Sequence, residues 1–435
     1  MSLFFTNARL IDPEAGTDSP GTLSVHNGRI SGVNDHRPPA GARVIDCAGK
    51  CLAPGLVDWG VHVGEPGARH KESFRSAGLS AAAGGVTTFV TRPDTSPAVD
   101  TPETLDFLRR RASSESPVNV RHMAALTRAR DGREMAEIGF LQDAGAVAFS
   151  DCDRVVTDTR IMGRCLTYAR SLGALVVGHP QDPGLSRGAS VTSGKFASLR
   201  GLPGVSPMAE RMGFDRDMAL VEMTGARYHA DQITSARTLP ALERARRNGL
   251  DVTAGISIHH LTLNEFDVGD YRTFFKLSPP LRREDDRLAM IQAVADGLID
   301  VIGSFHTPQD EESKRLPFEE AAPGAVGLET LLPAAMRLYH AGHLTLPQLW
   351  RAMALNPARR LRLDGGRLAA QAPADLVLFD PDAPFVLDRS ALKSKSRNTP
   401  FDGTRMEGKV LATYVAGAPG PAGSARNPTA GPRRS

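Results

Sequence analysis

From about residue 54 to 360, short apolar runs of strand character alternate with amphipathic segments of helix length, and no other feature constrains the fold as strongly. The runs are Gly85 to Thr91, Ala144 to Ser150, Ala174 to His179, Asp251 to Ser257 and Ile299 to Ser304. A strand that is followed by a helix returns to the sheet parallel to its predecessor, so repetition of this unit builds a parallel sheet. Roughly eight such units in about 300 residues close into a (β/α)8 barrel. Residues 1–53 read differently, as short apolar runs broken by turns, and Asn27-Gly28 is a type I′ hairpin signal. Strand alternation returns at Ala374 to Asp380 and at Lys409 to Gly417. The expected class is therefore α/β: a TIM-type (β/α)8 barrel over 54–369, with a small β-sandwich built jointly by 1–53 and 370–417. Residues 418–435, rich in Gly, Pro and Ala, carry too little apolar surface to offset their ordering entropy and are expected to be disordered.

Composition narrows the function classes. A chain of 435 residues with 41% hydrophobic content supports one large core with an accessory module. Its formal net charge is +3, and Arg426, Arg433 and Arg434 lie in a C-terminal stretch without acids, so the body is nearly neutral. Neither nucleic acid nor a membrane is an expected partner. Neither export nor membrane insertion is expected, since the sequence has no run of about 18 apolar residues. The four cysteines form no CxxC pair, and reduced thiols in the cytoplasm are expected.

Catalytic groups of such barrels sit at the C-terminal ends of the strands. There the chain reads Pro54-Gly-Leu-Val-Asp-Trp-Gly-Val-His62, His70-Lys-Glu-Ser-Phe74, Arg92-Pro-Asp94, Phe149-Ser-Asp151, His179-Pro-Gln-Asp182, His259-His-Leu-Thr262, Lys276-Leu-Ser-Pro-Pro-Leu-Arg282, Phe305-His-Thr-Pro-Gln309 and Asn398-Thr-Pro-Phe401. In order and together, these motifs resemble the dihydroorotases of the long-chain bacterial type, in the amidohydrolase superfamily, over residues 1–417. The resemblance implies a zinc-dependent opening of a cyclic amide, in which metal activates water and a carboxylate shuttles the proton.

Carried over position by position, that chemistry is incomplete. The resemblance places metal ligands at His62, Asp151 and His179, which remain, and at Gly60, Gln232 and Phe305, where imidazole, imidazole and the proton-shuttling aspartate are lost. The positions implied to contact substrate are also changed, to Gly64, Asp94, Ser278 and Gln309. Glycine has no donor atom, and a neutral amide is a poor zinc ligand. His229, three residues before Gln232, is expected to be a packed or solvated side chain, His306 to be structural, and the His259-His260 pair to point to opposite faces of a strand. Arg92 is placed to fill the vacated cavity or to pair with Asp94.

The expectations are a pseudoenzyme with no catalytic residue, no cofactor, and zinc bound at most weakly or as a single ion. The resemblance is strongest to inactive dihydroorotase-like partners of aspartate transcarbamoylase, which implies that enzyme's catalytic chain as partner and a homodimeric state. Two other readings are open: a cyclic amidohydrolase with a reduced, single-metal site and Asp151 or Asp182 as base, and a ligand-binding sensor without turnover.

Overall fold

The structure, a computed structural model, describes residues 2–421. Eight parallel strands follow one another in sequence and in space: Leu56–Val61, Val86–Thr91, Asn119–Ala124, Ala148–Phe149, Leu175–Gly178, Arg227–Ala230, Val252–Ser257 and Val301–Gly303. A helix follows each one, from Phe74–Ala83 after the first to Leu331–His340 after the eighth. Local sequence sets their limits. Ser73 and Ser76 form a capping box at the first helix, Asp158 caps Thr159–Leu172, and Gly173, at φ 62°, ends that helix in the left-handed conformation.

Period-two alternation divides the strand side chains between two cores. Trp59, Val90, Met123, Ala148, Leu175, Val177 and Val301 pack together in one cluster. Their neighbours, such as Phe89, Phe149, Val176 and Ile302, join the larger core with the helices. This two-sided burial explains why the strand runs are apolar throughout rather than alternating.

The first and eighth strands are tied by a side chain. Buried Asp58 accepts hydrogen bonds from the Ser304 amide at 2.7 Å, the Ser304 hydroxyl, and the Trp59 amide at 2.9 Å. The His62 amide adds a bond to the His306 carbonyl, 2.8 Å. Burial pushes the Asp58 carboxyl up to about 6 despite these donors. Asp58→Ala strands those donors at the barrel seam and is expected to lower unfolding free energy by about 2 kcal/mol, measurable by urea denaturation.

Both chain ends build the second module as one sheet, in the order Ala418–Pro419, Lys409–Val415, Leu376–Asp380, Cys51–Pro54, Ser2–Asp12, Thr17–His26 and Arg29–Val33, with Arg43–Asp46 also paired to Ser2–Asp12. Its alternating residues again serve two cores: Leu10, Leu52, Leu376 and Leu378 enclose the module's own core, whereas Ile11, Cys51, Ala53, Val377 and Phe379 belong to the barrel's. The Asn27-Gly28 turn has positive φ at both residues, 48° and 77°, as a type I′ turn requires. Of the tail expected to be disordered, Ala418–Pro419 pair with Lys409–Val415, and 422–435 lie outside the described residues. Among the described residues no helix is long and apolar enough to cross a membrane.

Candidate active site

At the strand tips an aromatic ring stands where the resemblance implies metal. Phe305 follows the eighth strand with φ 47° and is 7% exposed. Its ring lies against the first strand: a Cβ placed on Gly60 would be 3.0 Å from Phe305 Cε1 and 3.1 Å from Cδ1. On the other edge a Cβ on Gly303 would be 3.2 Å from Cε2. Gly60 itself has φ 77°. The small residue at 60 thus makes room for the large one at 305.

A cation is supplied by the protein itself. Arg92, at the end of the second strand, reaches Asp94 Oδ2 at 2.7 Å and Asp153 at 3.8 Å. The other oxygen of Asp94 holds His62 Nδ1 at 2.9 Å. Of the two fates expected for Arg92, pairing with Asp94 is the one observed. Burial opposes the charge on Asp94, yet Arg92 and then His62 outweigh it and hold the carboxyl well below its usual range. Asp231 is pushed up to about 6 by burial, moderated by the field of Arg92, and His179 is brought down to about 4 by burial. A fixed guanidinium among these side chains opposes a divalent cation.

The expected ligand remnants do not converge. Asp151 turns away from the centre: Oδ1 accepts the Leu126 and Thr127 amides, both at 3.0 Å, and Oδ2 the Thr127 hydroxyl. The adjacent Cys152, whose φ is 57°, shares the field of Arg92 and Asp94 with Asp231. Asp151, expected as a remnant ligand, is thus engaged by the Leu126 and Thr127 amides and the Thr127 hydroxyl. In a loop after a two-residue strand, the choice between adjacent residues is made by backbone dihedrals rather than by motif position. Gln232 is buried, 5% exposed. Among the described residues no three His, Cys, Asp or Glu side chains are grouped to hold a metal ion. The donor set present therefore does not fit a zinc centre.

The remaining expected positions have structural duties. A Cβ on Gly64 would lie 2.3 Å from the Ala68 carbonyl oxygen, so no larger side chain fits this backbone. Gln309 accepts from Lys71 Nζ at 2.8 Å and donates to the Pro323 carbonyl at 3.0 Å. Ser278 lines an open cleft, described below. His229 is fully buried, tilted against Trp59 at 4.3 Å, and His306 bridges Glu72, 3.2 Å, and the Gly327 amide, 3.1 Å. His259 and His260 lie on the short helix Ile258–Thr262 and not on a strand; the first stacks on Phe401 and the second contacts the Pro279 carbonyl at 3.0 Å. Asp182 caps the turn Pro183–Ser186 through the Leu185 amide, 2.9 Å, so it is not placed as a base. Asp58 and Glu72 lie within the quoted motifs but were given no role there, because their partners, Ser304 and His306, are distant in sequence.

Cys47, Cys51, Cys152 and Cys165 are all free and buried, and burial pushes each thiol up, Cys47, Cys51 and Cys165 to about 12. The native protein is expected to resist a thiol reagent near neutral pH and to label at all four positions once unfolded, read by mass spectrometry.

The family profile described as dihydro-orotase-like matches residues 49–238. A dihydroorotase of Wolbachia sp. subsp. Drosophila simulans (strain wRi) is 38% identical over 424 residues, covering 95% of this chain and 94% of its own. The chain belongs to the dihydroorotase-like family. A dihydroorotase of Syntrophus aciditrophicus (strain SB) is 37% identical, covering 96% of this chain and 98% of its own. Among solved structures, an L-hydantoinase (dihydropyrimidinase) from Arthrobacter aurescens superposes with a TM-score of 0.86 at 23% identity over 96% of this chain and 95% of its own, which establishes the shared barrel fold. This member of the dihydroorotase-like family thus shares the barrel fold of that solved structure.

Proposed function

We propose that this dihydroorotase-like protein is catalytically inactive and serves pyrimidine biosynthesis as a structural partner of the aspartate transcarbamoylase catalytic chain, acting as a homodimer. The observation that carries the inactivity is the Phe305 ring against Gly60, with Arg92 paired to Asp94 beside it. Water activation and proton return need a metal and a carboxylate near the scissile amide. Here an apolar ring and an internal cation stand at those places. A barrel's helices and outer surface are independent of its loop-borne site, so loss of chemistry leaves a scaffold. The pyrimidine context rests on the relatives named dihydroorotase. The partner rests on the family resemblance of the motifs.

The test combines two measurements on the full chain. Dihydroorotate and carbamoyl-aspartate are expected to remain unconverted with zinc supplied, and the chain is expected to co-elute with the transcarbamoylase of its own organism in size-exclusion chromatography. Sustained turnover would favour the reduced-site amidohydrolase instead, and separate elution would remove the partner.

A further inference from the structure

Beside the plugged centre the barrel mouth remains open. A cleft of about 900 Å³ is bounded by the loops around 130–133, 153–157, 179–190, 276–280 and 319–323. That size is of the order of small-molecule sites in proteins, about 300–1,000 Å³. Its floor includes His179 and Gln181, and its walls carry Arg130, Arg133, Arg154, Arg187 and Lys276 against Asp131, Asp153 and Glu319. Those charges are not mutually satisfied. Asp153 is committed to Arg130 at 2.5 Å, and Lys276 Nζ donates to the Glu319 backbone carbonyl at 2.7 Å.

Arg133, Arg154 and Arg187 are exposed and, among the described residues, none forms an ion pair with a carboxylate. Arg154 makes only long contacts, 3.4 Å, to the Ala129 and Arg130 carbonyls. Three guanidiniums around one concavity focus positive potential there, and their forked donors match the oxygens of phosphate or carboxylate. A second, independent feature points to the same cleft. Gln181 is 5% exposed, and its side-chain nitrogen is buried without a hydrogen-bond partner. Buried donors are nearly always paired, so an orphan in the wall of a cavity marks a place for an acceptor.

We infer that this cleft binds a small-molecule polyanion, bearing phosphate or carboxylate groups, through Arg133, Arg154 and Arg187. Of the positions implied to contact substrate in the family, only Ser278 lines the cleft, so the recognition rests on other residues. The inference goes beyond the proposed function and does not depend on it, because binding is read with ligands that contain no cyclic amide to open.

The test is isothermal titration calorimetry of the full chain with inorganic pyrophosphate and, separately, with citrate, at fixed ionic strength. Saturable binding of at least one is expected. Preference for pyrophosphate identifies a phosphorylated ligand, and preference for citrate a polycarboxylate. Arg133→Ala combined with Arg187→Ala should weaken binding about tenfold or more, equivalent to about 1.4 kcal/mol. Arg109→Ala with Arg110→Ala, in a separate groove, should leave it unchanged and so controls for net charge. No saturable heat with either anion, or equal weakening in both double variants, would overturn the inference.

Discussion

Arg92→Met is expected to destabilise the protein by about 3–5 kcal/mol, because it removes one partner of a buried ion pair and leaves the other charged. The side chains of Arg92 and Asp94 are only 14% and 10% exposed, so water offers little screening. The effect belongs to the carboxylate as much as to the missing cation. Asp94→Asn in the Arg92→Met background should therefore recover much of the loss, and a double-mutant cycle should return a coupling of roughly 2–3 kcal/mol. The pH dependence carries a definite sign. In the native protein Asp94 is held below its ordinary value by Arg92 and His62 against burial, so its contribution is complete above about pH 4 and is lost as pH falls below that. In Arg92→Met burial is opposed only by His62 and the more distant Arg130, the folded carboxyl titrates higher, and the gap to the native protein narrows as pH falls through that raised value. Denaturant unfolding at several pH values measures all of this. A stability change within about 0.5 kcal/mol would mean that Arg92 is a bystander.

The second large effect lies at Phe305. Truncation to alanine empties the space between Gly60 and Gly303 and should cost about 3–5 kcal/mol, as for other buried phenylalanines. Glycine removes still more volume, yet Phe305 has φ 47°, where a Cβ is strained. Phe305→Gly is accordingly expected to be more stable than Phe305→Ala by about 0.5–1 kcal/mol. The opposite order would show that the backbone relaxes once the ring is gone. Gly60→His by itself should be poorly tolerated, since its Cβ would meet the Phe305 ring and its φ is 77°. Restoring Gly60→His, Gln232→His and Phe305→Asp together leaves Arg92 in the centre and Asp151 turned to Thr127, so zinc binding also requires removal of the guanidinium.

Much of the fold could be read from sequence because burial on both faces of a barrel strand leaves continuous apolar runs. Val86–Thr91, Leu175–Gly178 and Val252–Ser257 lie within the runs that announce them. Asn119–Ala124 was not announced, because Asn119, Arg121 and His122 interrupt its apolar pattern. At the site, the lack of an imidazole or carboxylate at Gly60, Gln232 and Phe305 was legible because the type of a side chain needs no coordinates. Orientation was not. Nothing in Phe149-Ser-Asp-Cys152 says that Asp151 caps the Leu126–Thr127 amides while Cys152 shares the field of Arg92. The fit of the Phe305 ring to Gly60, 245 positions apart in the chain, is likewise a fact of three dimensions.

All of this depends on a strand-tip centre closed to divalent metal by a ring and a guanidinium. Elemental analysis of the purified full chain, after exposure to excess zinc and gel filtration, addresses that point most directly. The expected result is far less than one zinc per chain, unchanged by a chelator, while a full equivalent or more, retained through the column and bound at these strand ends, would contradict it.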